Sequence, residues 1–411
     1  MARQQVYEEE ERQHSLPFRA HGNGRLFLLC SQSASGLVGS GESVEQTLTD
    51  HLVGEYDRHL SSGTSPRVQP RSVQMSKFLS SLVVGSALSL VSVTASSQVV
   101  LTTSSWLGPN HTLSQTQAKW CDEVRNATQS RVRCNILPKA VVAPPGTFDA
   151  VRDGLADLSY SVHGYTPGRY VSTLMAELPF MGDSAEASSV AYQRIYQKHL
   201  AALGEHKGLK VITVFTHGPG IVFNTKRAVT SLADMQGLKF RVGGGMVNEV
   251  GKAMGVNVTL KPAPESYELV SSGVMDGVFF PAESIESFKL EKLVKHKTTF
   301  PGGLYNTSFA FVMNEGTWNK ISKADQDAIT KLSGEYAARM FGRGWDNVDR
   351  RGNAFMQANG VVSTQAGKAF VEEVKGKTAS LEAKWIADAK AKGLSNPEQV
   401  LREYRAEIAK N

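Results

Sequence analysis

Arg241 is the side chain of this sequence best placed to hold a ligand. It falls near the end of a strand-like run, Leu238-Lys239-Phe240-Arg241-Val242, just before Gly243-Gly244-Gly245 and a helical pattern opening at Met246. A guanidinium there can grip a carboxylate through two parallel, charge-assisted hydrogen bonds. Gly243 and its neighbours let the backbone come close, and a helix N-terminus adds amide donors and a positive dipole end. The plainer alternative is a solvated arginine in a strand-to-helix loop. A nucleotide site is a poorer match. Gly243-x-Gly245-x-x-Asn248 lacks the third glycine of the dinucleotide fingerprint, and no Lys-Ser/Thr pair follows.

Aromatic residues supply the second element of a binding site. Phe279-Phe280-Pro281 follows Gly273-x-x-Asp276 and a short strand, Trp106 lies in the loop after the first strand, and Tyr165 follows the third. Walls of this kind suit an apolar or ring-bearing ligand body, although buried core is the favoured reading for each residue taken alone. Catalytic patterns are missing. His111, His163 and His217 are scattered, with no H-E-x-x-H, no Cys/His cluster at metal spacing and no Gly-x-Ser-x-Gly. Glu177, Glu265 and Glu283 could be paired on paper as acid and base, but nothing fixes their separation, and solvated or capping roles suit them better. The expectation is a binding protein rather than an enzyme, with no metal and no cofactor.

The elements that must position these residues alternate. A strand at Val99–Thr103 is followed by a helix over 111–128, a strand over 131–137, a helix near 148–155 and a strand over 157–162. A longer helix over 184–206 and a strand over 210–215 come next. The alternation indicates an α/β fold with largely parallel sheets. The order then partly repeats. Arg133 to Lys139 leads through a helix to Gly154-x-x-Asp157, and Val256 to Pro262 leads through a helix to Gly273-x-x-Asp276. Two lobes of similar design are expected, one from 98–218 with 307–346, the other from 219–306 with 347–411. Their sheets would present strand ends to a shared cleft. After a strand over 308–313 come helices over 322–355, 366–392 and 396–409, the first long enough to brace both lobes.

The chain has 411 residues, 41% of them hydrophobic, with 45 Lys and Arg against 39 Asp and Glu, a formal net charge of +6. The basic excess is spread out, which favours anions in general over nucleic acid. Residues 1–74 show no sustained helical or strand period. Met75 begins a different pattern: Lys77, an apolar stretch to Val91, then Val93-Thr94-Ala95. A charged start, a brief apolar run and a small-residue site describe a secretory signal peptide over 75–95. The run is too short to span a membrane. Met75 is therefore the expected start, and 1–74 an upstream extension translated in error. Cys121 and Cys134 remain in the exported part, where a disulfide and two buried free thiols fit the pattern equally.

Longer stretches carry a family resemblance. Gly164-Tyr165-Thr166-Pro167-Gly168-Arg169-Tyr170 through Glu177-Leu178-Pro179-Phe180, Asn224-Thr225-Lys226-Arg227, Ser231-Leu232-Ala233-Asp234-Met235-Gln236-Gly237-Leu238-Lys239-Phe240-Arg241-Val242 and Met275-Asp276-Gly277 resemble the solute-binding subunit of TRAP (tripartite ATP-independent periplasmic) transporters. The S-x-x-D-x-x-G-x-K-x-R-V segment is the most specific part. The resemblance implies a two-lobed periplasmic binding protein fold, with a long helix bracing both lobes, that closes over an organic acid. Arg241 matches the family's carboxylate-binding arginine. The implied partners are a small and a large membrane subunit driven by a cation gradient, and the implied location is the periplasm of a Gram-negative bacterium, with the chain a monomer. Sialic-acid binders of the family carry a second arginine near the position of Ile221 and an asparagine near that of Phe280. Those apolar replacements point to a monocarboxylate with an apolar or aromatic body. A binding protein of an ATP-driven importer is the alternative reading, and an exported hydrolase or lyase a more distant one.

Overall fold

A computed structural model describes residues 98–411. The expected extension over 1–74 and signal peptide over 75–95 lie outside the described residues. Among the described residues eleven strands occur in the order β1 (Val99–Thr103), β2 (Val132–Ile136), β3 (Leu158–Val162), β4 (Leu209–Thr216), β5 (Ile221–Asn224), β6 (Lys239–Val242), β7 (Asn257–Leu260), β8 (Gly277–Phe280), β9 (His296–Thr299), β10 (Ser308–Asn314) and β11 (Val362–Gln365). They form two sheets, β2-β1-β3-β10-β4 and β11-β9-β5-β8-β6-β7. Each sheet is the floor of one lobe of an α/β fold.

The sheets are mixed rather than largely parallel. β1 runs parallel to β2 and β3, and β6 parallel to β7 and β8. β10 is antiparallel to both β3 and β4, and β5 antiparallel to both β8 and β9. The physical reason is the chain path. β4 leaves the first sheet and its continuation enters the second as β5, while β10 returns from the second lobe to the middle of the first. A strand that arrives from the other lobe needs no right-handed helical crossover within its sheet, so it can be inserted antiparallel.

The two Gly-x-x-Asp segments do the same job in each lobe. Asp157 donates its backbone N–H to Thr102 O (2.7 Å) and accepts from Thr102 N at Oδ2 (2.8 Å). Asp276 repeats this with Lys239, at 2.8 Å and 3.0 Å. Each aspartate thus docks the entry of one strand against a parallel neighbour.

Helices differ from expectation where the backbone turns. The helix expected over 322–355 is divided into Lys323–Lys331 and Glu335–Ala358, because Gly334 adopts a positive φ of 60°. The stretch over 184–206 is helical only through Ala185–Ile195, then loosens and tightens in short irregular turns. Glu335–Ala358 is still the brace. It packs on the Ala185–Ile195 helix and β4 of the first lobe and on the Glu283–Ser287 helix of the second. Side-chain-free faces make this possible. A Cβ on Gly342 would come within 2.6 Å of Glu186 Cα, and one on Gly352 within 2.7 Å of Ala282 O. Cys121 on the Thr112–Ala127 helix is joined to Cys134 in β2 by a disulfide. No helix among the described residues is long and apolar enough to cross a membrane.

Candidate ligand-binding site

Arg241 sits in β6 and is 2% exposed. Its Nε donates to Lys261 O (2.8 Å), and its guanidinium lies 4.4 Å above the centre of the Phe280 ring. No carboxylate of the described residues forms an ion pair with it; burial holds its pKa below the usual arginine value, against the weaker pull of Tyr165, Tyr305 and Glu265. A buried cation without an anion is costly unless a ligand supplies one. The sequence supplies this cation, and the fold places it at the wall of a cavity between the lobes.

The cavity is open to solvent at its mouth and brings together all the expected residues: Trp106, Tyr165, Arg241, Gly243, Phe279 and Phe280. Their roles differ. Trp106 meets Tyr160 and Tyr165 edge-on, each at 5.9 Å, with its Nε1 donating to Tyr160 O (3.0 Å). Tyr165 Oη accepts from Ala263 N (3.0 Å) and so reaches across to the second lobe. Strand alternation sends Phe279 and Phe280 to opposite faces. Phe280 stacks on Phe288 at 5.4 Å, whereas the Phe279 ring packs into the core against Phe240. Ile221 pairs with Phe280 in the β5–β8 ladder and is buried in the same apolar cluster.

The expected helix terminus is differently employed. Met246 N, at the start of the Met246–Ala253 helix, donates to Glu177 Oε2 (2.8 Å) of the first lobe rather than standing free for a ligand. Gly244 and Gly245 lie directly against the Gly164 backbone: a Cβ on Gly164 would come within 2.6 Å of Gly244 C. The triple glycine therefore lets two backbones touch across the lobes, and only Gly243 lines the cavity. Glu177 is fully buried. Its Oε1 accepts from Ser308 N (2.9 Å) and Ser308 Oγ (2.6 Å). Burial pushes its carboxyl up to about 7, against the pull of the Ser308 and Met246 bonds. Of the three glutamates, Glu265 pairs with Lys261 (3.3 Å), and Glu283 meets His111 Nε2 at 3.2 Å. The motif aspartate, Asp234, closes its own turn by accepting from Thr230 N (2.8 Å) and Ser231 N (3.0 Å).

Other wall residues carry no ligand signal in the sequence. His111, His217, Ser284, Tyr305, Thr307 and Trp345 also line the cavity. His217 and Gly218-Pro219-Gly220 form the crossover from β4 to β5, so the visible His-Gly-Pro-Gly turn was the only available hint. The two cavity histidines are pinned in opposite states. His111 Nδ1 accepts from Leu113 N (3.1 Å), leaving its proton on Nε2, towards Glu283. His217 Nδ1 lies 2.5 Å from Gly218 O and must donate. Burial pulls His217 down to about 4, so it is neutral at physiological pH. No group of three or more His, Cys, Asp or Glu among the described residues is placed to hold a metal ion.

The family model for bacterial extracellular solute-binding proteins, family 7, matches residues 103–388. The chain belongs to this family. The family-7 protein is 46% identical to a TRAP periplasmic solute-binding protein from Bordetella bronchiseptica, solved with bound (R)- and (S)-mandelate; the match covers 76% of this chain and 99% of that one, with a TM-score of 0.74. A marine-metagenome TRAP solute-binding protein specific for aromatic acids, solved with 3-hydroxybenzoate, is 30% identical over 76% of this chain and 99% of that one (TM-score 0.72). One from Rhodoferax ferrireducens, solved with copurified benzoate, is 28% identical over 76% and 98% (TM-score 0.71). The resemblance seen in the sequence holds: this is a TRAP-type solute-binding protein for an organic acid, not the binding protein of an ATP-driven importer. Its family is one of transport proteins, not of enzymes.

Proposed function

We propose that the family-7 protein is exported to the periplasm, captures an aromatic monocarboxylate and, as a monomer, hands it unchanged to TRAP membrane subunits. The observation that carries the reading is Arg241, a buried cation with no ion-pair partner among the described residues, set in a wall rich in aromatic side chains. A ligand carboxylate completes the pair with two parallel hydrogen bonds from the guanidinium nitrogens that Lys261 leaves free. A phenyl body buried among Trp106, Tyr165, Phe280 and Phe288 contributes a further 1.5–3 kcal/mol or so. A second charged end has no partner here, and burying it unpaired is expensive. The aromatic acids held by the three solved relatives support the same ligand class. Glu177 and Glu283 are engaged by backbone, serine and histidine partners, which leaves them no role as an acid–base pair. A thermal-shift panel tests the reading. Benzoate, mandelate and 3-hydroxybenzoate should each raise the melting temperature, and succinate and sialic acid should not; the reverse pattern refutes the ligand class.

A further inference from the structure

His217 is buried at the crossover between the lobes, and its ring is fixed from both sides. Nδ1 lies 2.5 Å from Gly218 O, an atom that can only accept. That carbonyl is itself held, because Asn306 Nδ2 donates to it at 3.1 Å and to His217 O at 3.0 Å. The Nδ1 proton is thus committed to the backbone. In the neutral ring the lone pair belongs to Nε2, which takes no hydrogen bond from any described residue. The ring stands between the edges of Tyr305 (5.6 Å), Trp345 (5.8 Å) and Phe309 (6.3 Å), all of which line the Arg241 cavity. Arg241 is close enough to disfavour a second positive charge on His217.

We infer that His217 is a specificity-determining residue whose Nε2 accepts a hydrogen bond from a hydroxyl beside the ligand carboxylate, selecting 2-hydroxy aryl acids over 2-oxo analogues. The inference rests on the aromatic-monocarboxylate reading and sharpens it. A fixed acceptor discriminates by lone-pair repulsion. An O–H group satisfies it, a C–H group leaves it unpaired, and a carbonyl oxygen sets lone pair against lone pair. Other polar groups of the wall do not discriminate in this way. The hydroxyls of Tyr305 and Thr307 can turn to donate or accept, and the Trp345 indole only donates. His111 does not compete, because its two nitrogens are taken by Leu113 N and Glu283.

The test is calorimetric titration of the wild type and His217→Phe with mandelate, phenylglyoxylate and phenylacetate. These probes differ only at the 2-position. Wild type should bind mandelate at least about tenfold more tightly than either other acid, the effect of one buried hydrogen bond made or left unmade. His217→Phe should lose that preference, binding mandelate and phenylacetate with equal affinity to within about threefold. Equal or tighter binding of phenylglyoxylate by the wild type overturns the role of His217 and leaves the aromatic-acid reading standing. So does a His217→Phe variant that keeps the mandelate preference. His217→Gln is the guard against a misfolded Phe variant: its side-chain oxygen can restore an acceptor, so part of the mandelate preference should return. Loss of all three acids equally in both variants also overturns the inference. If the wild type binds none of the three acids, the ligand class itself fails and the inference falls with it.

Discussion

Replacing Arg241 with methionine should separate binding from stability. In the ligand-free protein the substitution removes one charged hydrogen bond, Nε to Lys261 O at 2.8 Å, of roughly 1.5–3 kcal/mol. It also removes the stacking of the guanidinium over Phe280 at 4.4 Å, a contribution of up to about 2 kcal/mol. Against these losses stands relief from holding a cation that is 2% exposed and lacks an ion-pair partner among the described residues, a penalty of several kcal/mol. The terms nearly offset, so the free protein should change in stability by no more than about 2 kcal/mol, or roughly 3 °C for a chain of this size. Binding behaves differently. A buried carboxylate that loses its partner costs about 2–5 kcal/mol, a 30- to 5,000-fold loss of affinity. Arg241→Lys keeps the charge without the planar fork and should retain part of the affinity. Scanning calorimetry of the free proteins and titration with benzoate read the two quantities separately. Unchanged affinity in Arg241→Met refutes the anchor, and a collapse of the ligand-free protein shows that the charge serves the fold instead.

Glu177 should make ligand binding pH-dependent. Its carboxyl is raised to about 7 where the lobes meet, and opening returns it towards its ordinary value of about 4.5. The closed form therefore takes up a proton, and affinity should strengthen about tenfold as pH falls from 8 to 6, fading as pH rises through 7. The groups around it do not titrate in that window: burial holds His163, reached through Ser308, well below its usual value and raises Tyr192 and Tyr305. Titrations at several pH values should show this slope in the wild type and a flat profile in Glu177→Gln. Gly164→Ala places a methyl 2.6 Å from the Gly244 backbone, so it should weaken ligand binding at least tenfold, the clash opposing closure, while circular dichroism stays native. Reducing the Cys121–Cys134 bond, which spans 13 residues of sequence, should lower stability by roughly 3 kcal/mol on the chain-entropy model, seen as a lower denaturant midpoint.

Much of the fold was legible because its signals are local. The strand and helix periods, the breaks at glycine and the paired Gly-x-x-Asp segments each act over a few residues, and Asp157 and Asp276 make matching bonds in the two lobes. Arg241 was legible for the same reason, as a strand-end arginine before a turn. The contacts that shape the site are of another kind. Glu177 with Met246, Gly164 with Gly244 and Tyr165 with Ala263 join residues far apart in sequence, and no periodicity marks them. The helix terminus at Met246 looked free only because its partner lies in the other lobe. His217 had no visible partner either, since its tautomer depends on Gly218 and on Asn306 from a distant loop.

The central claim is that Arg241 holds the carboxylate of an aromatic acid inside the closed cavity, and a crystal structure of the protein grown with mandelate tests it most directly. The carboxylate should lie within about 3 Å of the Arg241 guanidinium nitrogens, with the phenyl ring among Trp106, Phe280 and Phe288. A carboxylate bound elsewhere, with Arg241 left facing water, would contradict the account.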